Sequence, residues 1–433
     1  MKRHHINRFA RALKAAVGAP NLTHLARQVG HCRRLRDVTP QRLVCTLLES
    51  LGSHRVETVA DIQRSFNAQT GLKTRYKAFY NQLGKPAFPR FMRAVFSHVL
   101  RALSQNVLRP TAGGILSAFD DVVIQDGSSF AVHDALAETF GGRFTKIRPA
   151  SVEVHTFLSV FRDQVLHVDV APDKEPERKF LPAASDLKGK LLLADRGYAS
   201  LDYWEQIVDA GGFFIIRGKK QLNPWVTRVR GLGGRFRNFE GRRLHDLLRR
   251  HPRHRLDLDV EFRLRRDVPL RLRMVLLWLP ARRHYLTLVT NIPKRRLTAQ
   301  QVLGVYRLRW QVELVFKEWK SYANLHEFTS RNPRLVEGLI WASLCAAALK
   351  RSLAHASDRV SARGPISTRI VAMCGAHTLT VILRCALNAF RRVADVIRRV
   401  FSYLWENAVR SHPTRDRVSG RLQWGLEYVG LQA

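Results

Sequence analysis

Four polar residues in the stretch Tyr306 to Lys320, YRLRWQVELVFKEWK, recur at a spacing that could do chemistry. At about 100° per residue of α-helix, Tyr306, Arg309, Glu313 and Lys320 fall within an arc of roughly 60°. An apolar face of Val305, Leu308, Val312, Val315, Phe316 and Trp319 lies beside them. One carboxylate thus stands among two cations and a phenol, where a phosphate would meet a fork of Arg donors and an ammonium. Glu318, the other acid of the stretch, projects from the opposite side with Gln311 and Arg307, and that side is predicted to face solvent. The same spacing also makes ordinary four-residue ion pairs, Arg309 to Glu313 and Glu313 to Lys317, each contributing about a few tenths of a kcal/mol. Chemistry at Glu313 therefore needs partners from elsewhere in the chain.

Two candidates are Asp126 in IQDGSS and Asp195 in LLLADRGY, each predicted to end a strand. Strand C-terminal edges are where α/β folds place their sites. Phosphodiester chemistry by two divalent metals about 3.5–4 Å apart needs carboxylates converging from separate elements, with positions left open for water and phosphate. Asp126, Asp195 and Glu313 suit that need, and oxygen ligands without Cys or His favour Mg²⁺ or Mn²⁺. Each Asp also has a plainer reading, Asp195 as a helix N-cap and Asp126 as the acid of an Asp-Gly turn.

The composition narrows the partner. Of 433 residues, 73 are Lys or Arg and 35 Asp or Glu, a formal net charge of +38 that a compact fold tolerates best against a polyanion. Nucleic acid is the default partner for such a chain. The basic residues are spread along the whole length, unlike the terminal tract of a membrane-surface protein. The five cysteines, Cys32, Cys45, Cys345, Cys374 and Cys385, form no C-x-x-C pair and no zinc spacing. They read as free thiols of a reducing cytoplasm. The start lacks a signal-peptide apolar region, and the longest apolar run, Leu335 to Leu349, carries Glu337 and is too short to span a bilayer.

The elements follow from periodicity. Residues 1–108 are predicted to form a separate helical DNA-binding domain, in which residues 58–83 have the outline of a helix, a turn at Gly71 and a second basic helix. A plain helical hairpin fits that outline equally well. From Ser117 strands take over, AFDDVVIQD, SVEVHTFLSVF and QVLHVDVAPD with hairpin-length gaps, then a helical PERKFLPAASDL, KLLLAD, a helix and FFIIRG. That order predicts an α/β fold with an RNase H-like core in two parts, 109–218 and 297–355. Residues 219–296 read as a β-rich insertion. There Leu256, Leu258, Val260, Phe262 and Leu264 alternate with Asp257, Asp259, Glu261 and Arg263, whose acids are read as a solvated strand face without metal partners. LVEGLIWASLCAAALKRSLA reads as a buried helix, and 356–433 as a helical C-terminal region.

Taken together, Y-x-x-R-x-x-x-E-x-x-x-x-x-x-K, IQDGSS, ADRGY and LVTNIP resemble, in order, the motifs of the cut-and-paste DDE transposases of insertion sequence family four. The resemblance covers residues 117–350. It implies that Asp126, Asp195 and Glu313 are catalytic and hold two Mg²⁺ or Mn²⁺ ions, and that Tyr306, Arg309 and Lys320 bind DNA phosphates. It implies cleavage at terminal inverted repeats, joining of the freed 3′-OH to target DNA, and a homodimer in the synaptic complex in the cytoplasm, on the nucleoid. Tyr285 of HYLTLVTNIP matches the position of a base-stacking aromatic, although a core strand aromatic is an equal reading. Two other functions stay open: a metal-dependent RNase H-like nuclease that cuts without joining, and a domesticated, non-catalytic DNA-binding protein.

Overall fold

The computed structural model describes residues 2–53, 55–230, 237–250, 253–263, 268–325, 328–361, 364–410 and 424–429. Six helices lead: α1 Lys2–Val17, α2 Ala19–Gln28, α3 Pro40–Ser53, α4 Val59–Thr70, α5 Tyr76–Leu83 and α6 Phe88–Ala102. The expected helix pair is present as α4 and α5, with Gly71 closing α4 at φ +69°, a left-handed geometry that glycine adopts without penalty. Because α5 begins at Tyr76, Lys73 and Arg75 precede it instead of riding on it.

A mixed nine-stranded sheet follows. Its strands are β1 Val122–Ala131, β2 Ser151–Ser159, β3 Gln164–Pro172, β4 Leu191–Ala194, β5 Phe213–Arg217, β6 Trp225–Arg230, β7 Leu256–Phe262, β8 Leu270–Leu279 and β9 His284–Thr290. The spatial order is β3-β2-β1-β4-β5-β9-β8-β7-β6. β1, β4 and β5 run parallel, and the other neighbours are antiparallel. The α/β expectation is met, with two corrections. β1 and β2 are joined by residues 132–150, not by a hairpin turn, because β1 continues to Ala131 and Asp126 lies within it. PERKFLPAASDL forms two 3₁₀ turns, Glu177–Phe180 and Ala184–Leu187, where helix was expected.

The acids of β7 correct another expectation. Asp257 is buried, and Arg273 of β8 donates to both its oxygens, from Nε at 2.7 Å and Nη2 at 3.0 Å. Asp259 pairs with Arg230, and Glu261 with Arg263 at 3.3 Å. The strand face is thus ion-paired, Asp257 and Asp259 to arginines diagonal to them on the two neighbouring strands and Glu261 also to Arg271 directly opposite at 3.6 Å. Leu264, the last apolar residue of the expected alternation, lies outside the described residues.

α7 Leu201–Asp209, between β4 and β5, covers one face of the sheet, α8 Leu244–Arg249 lies between β6 and β7, and the other face is covered by α9 Ala299–Tyr306, α10 Gln311–Tyr322 and α11 Pro333–Asp358, which follow β9. α12 Thr368–Met373, α13 Gly375–Asn388 and α14 Val393–Asn407 follow, with a 3₁₀ turn at Phe390–Arg392 between the last two, and a short strand Leu426–Tyr428 pairs antiparallel with Leu108–Pro110. One apolar core joins α1–α6, one sheet face, α9–α11, α13 and α14, and a smaller one fills the other face under α7. At the centre of the larger core α11 is buried along most of its length, as its apolar sequence suggested, yet carries buried Lys350 and Arg351. Lys350 Nζ donates to the carbonyls of Gly52 at 2.8 Å, Ala372 at 3.1 Å and Tyr322. These lie in the last turns of α3, α12 and α10, where helical carbonyls lack intrahelical partners.

Candidate active site

Strand alternation brings the acids to one place. Val122 and Ile124 of β1 face the larger core, as do Leu191 and Leu193 of β4 and Ile215 of β5. The two-residue period then turns Asp126, Asp195 and Arg217 to that same face. Gln125 is the last residue of β1 paired in parallel with β4, opposite Ala194, so the two aspartates follow side by side where that pairing stops.

The third acid arrives on the helical segment above. It is not one continuous helix, because Arg307–Trp310 form a 3₁₀ turn between α9 and α10. Arg309 remains one turn from Glu313 and its guanidinium binds two acids, Nη1 donating to Asp126 Oδ2 and Nη2 to Glu313 Oε1 at 3.3 Å. The Tyr306 hydroxyl donates to the carbonyl of Ala194 at 3.3 Å, and Lys320 Nζ to the carbonyl of Ser129 at 2.8 Å. Hence Asp126, Asp195, Glu313, Tyr306, Arg309 and Lys320 share one end of β1 and β4. Tyr285 instead stands on β9 against Trp278, ring centroids 5.0 Å apart, with no contact to the acids among the described residues.

The electrostatics are those of crowded carboxylates. Burial pushes the Asp126 carboxyl up to about 7; Arg309 and the Gly127 N–H oppose that rise, while Asp195 and Glu313 add to it. Asp195 Oδ1 is buried without a hydrogen-bond partner, its nearest cation being Arg217 Nη1 at 3.6 Å. Burial, then the charge of Asp195, raises the Tyr306 phenol. Among the described residues no group of three His, Cys, Asp or Glu side chains is close enough to grip a metal ion as it stands. The Arg309 guanidinium is inserted between Asp126 and Glu313. An acid pushed toward neutrality beside an orphaned carboxylate oxygen nevertheless fits a site short of positive charge, and the hard oxygen donors fit divalent Mg²⁺ or Mn²⁺.

Glu318 departs from its expected place. It is 7% exposed, donated to by Arg351 Nη1 at 2.8 Å and by the Thr368 hydroxyl at 2.9 Å, and Arg351 also donates to Asp163 Oδ1 at 2.6 Å. The side of α10 turned away from Glu313 is covered by α11 and α12, and Gln311 is buried with it. Two residues outside the sequence reading also join the site. Arg217 ends β5 beside β4, which the strand period could have revealed. Trp310 is 58% exposed with the Arg309 guanidinium 5.5 Å from its ring centroid, and its position became visible only with the 3₁₀ turn.

Sequence comparison with known proteins agrees on one family. The model for the transposase DDE domain matches residues 117–349. The transposase for insertion sequence element IS231E of Bacillus thuringiensis subsp. finitimus is 23% identical, the match covering 98% of this chain and 96% of that protein. The transposase for element IS421 of Escherichia coli is 44% identical over 65 residues, 15% of this chain and 18% of that one. A cryo-EM structure of piggyBac transposase in a synaptic complex with hairpin DNA aligns at TM-score 0.45 and 10% identity, covering 94% of this chain and 88% of that one.

Proposed function

Because the chain belongs to the transposase DDE domain family, we propose that it is the transposase of a bacterial insertion sequence of family four, cutting DNA at the element's terminal inverted repeats and joining the 3′-OH ends to target DNA. The observation that carries this reading is the gathering of Asp126, Asp195 and Glu313 around Arg309 at the end of β1 and β4. Its core is read as RNase H-like, since the three antiparallel strands β3-β2-β1 are followed in the sheet by parallel β4 and β5. The sheet extension β6–β9 is the insertion, and the helices of residues 1–108 are read as the DNA-binding domain.

Asp126, Asp195 and Glu313 would hold two divalent ions, which supply an activated water and neutralise charge on the attacked phosphate. Arg309, which pairs with Asp126 and Glu313, presents a fork of donors at the site that would suit a DNA phosphate. Tyr306 and Lys320, fixed on the strand carbonyls of Ala194 and Ser129, orient the phosphates on either side. The bound DNA supplies the anionic partner that a net charge of +38 calls for. Two protomers would act together on paired ends in the cytoplasm, and Tyr285 would stack on an unpaired base.

The test is Mg²⁺-dependent cleavage and strand transfer on a duplex carrying the inverted repeat that flanks this gene, for the parent and for Asp126→Asn, Asp195→Asn and Glu313→Gln. Cleavage by the parent and none by the three variants, at equal DNA affinity, supports the reading. Binding without cleavage by the parent would leave a non-catalytic DNA-binding protein, and cleavage without joining would leave a nuclease.

A further inference from the structure

The connection between β1 and β2 presents apolar side chains to solvent at the catalytic end of the sheet. Residues 143–148, Arg-Phe-Thr-Lys-Ile-Arg, are all exposed, with Phe144 at 65% and Ile147 at 81%. They form one helical turn, Ile147 N and Arg148 N both donating to the Phe144 carbonyl at 3.0 and 2.8 Å. Residues three apart on such a turn share a side, so the two apolar side chains point out together.

The turn stands on a fixed base. Gly141 bridges Ala150, and Gly142 N donates to the Pro149 carbonyl at 2.8 Å. A side chain at Gly142 would bring its Cβ within 2.0 Å of the Arg148 carbonyl oxygen, so the close approach requires glycine. Arg143 is bound to the core, its N–H donating to Asp173 Oδ2 at 3.0 Å and Nη2 to Glu153 Oε2 at 3.1 Å. Among the described residues Lys146 and Arg148 on the turn itself bear no acid partner, although Asp134 and Glu138 lie exposed earlier in the connection. Lys320, bound to Ser129 two residues before the strand's end, is close enough to Arg148 to feel its charge. Exposed apolar residues on a hydrogen-bonded turn, flanked by cations without an acid partner among the described residues, match a wedge that enters DNA, where phosphates take the cations and an opened base step takes the apolar side chains.

We propose that Phe144 and Ile147 form a wedge that enters a base step of the double-stranded DNA beside the scissile phosphate, with Lys146 and Arg148 on the flanking phosphates. This rests on the reading of the chain as a DNA-cutting transposase. An intact duplex resists such opening, so the wedge matters most where the DNA is fully paired.

The test uses the full-length protein with an inverted-repeat duplex carrying 2-aminopurine at each successive position near the cleavage point, and reads fluorescence and Mg²⁺-dependent cleavage separately. The parent is expected to raise fluorescence at one step. The double variant Phe144→Ala/Ile147→Ala is expected to bind as the parent does, to give no rise, and to cut the paired duplex slower by about tenfold or more. A duplex mismatched at that step should restore its cleavage to near the parental rate, and Phe144→Trp should keep the signal. A double variant that opens and cuts as the parent does overturns the wedge while the transposase reading stands. Base opening by a parent that cuts no DNA overturns the transposase reading and leaves the wedge standing, and absence of both signals overturns both. A change of oligomeric state in the double variant, with the fluorescence rise intact, would assign the patch to a protein contact and overturn the wedge.

Discussion

Glu313 and Glu318 are five residues apart and have opposite duties. Glu313 is a third exposed and touches only Arg309 among the described cations. Glu313→Gln removes a carboxylate oxygen proposed to bind metal and almost no volume. We therefore expect cleavage to vanish, with DNA affinity and melting temperature near the parental values. Glu318 and Asp163 share Arg351 in a buried cluster. Removing one partner of such a cluster leaves a charge uncompensated, so Arg351→Met is expected to cost about 3–5 kcal/mol of folding stability by denaturant titration, and Glu318→Gln a smaller part of it. A Glu318→Gln protein with parental stability would show that the cluster contributes little. Helical arithmetic placed Glu318 correctly on the side away from Glu313, but could not show that α11 and α12 cover that side. The clue was Arg351 within a largely apolar helix, since a guanidinium buried there needs acceptors, best supplied by a buried acid.

At the scale of elements, what could be read from the chain was what period alone decides. Strand alternation set Asp126 and Asp195 on one face, and the three-to-four spacing kept Arg309 beside Glu313. What could not be read depended on contacts between distant segments. The 3₁₀ turn at Arg307–Trp310 advances side chains by about 120° per residue instead of 100°, and Trp310 comes forward with it. The continuation of β1 past Asp126 is set by its pairing with β2 up to Ser151. One further element carries a titratable consequence. After α2 the chain inserts His31 against α6, its ring stacked on Phe91 at 4.8 Å and 4% exposed. Burial, then Lys85, lowers its pKa to about 4. The unfolded chain, titrating near 6.5, binds the extra proton first, so this contribution is intact above about 6.5 and is lost as pH falls toward 4. It amounts to about 3 kcal/mol. We expect unfolding free energies at pH 7 and pH 4.5 to differ less in His31→Leu than in the parent.

Over the whole molecule the charge governs association. Affinity for inverted-repeat DNA should fall steeply with salt, by about 10³–10⁵ between 50 and 200 mM if six to ten phosphates are neutralised. Lys320→Ala should reduce that slope by about one contact. An unchanged slope and unchanged cleavage in Lys320→Ala would remove Lys320 from the phosphate contacts. The fold itself is tied at Lys350, whose three donors reach the ends of α3, α10 and α12. An ammonium has three hydrogens, and none is left over for water. When any one of those helix ends frays, the charge is left under-solvated for the other two. Amides near Gly52, Tyr322 and Ala372 should therefore exchange with deuterium through one shared opening, at a common free energy, although 320 residues separate the first from the last. In Lys350→Met the three sets of amides should exchange at independent rates, and the end of the helix carrying Glu313 would then fluctuate without reference to the rest of the protein.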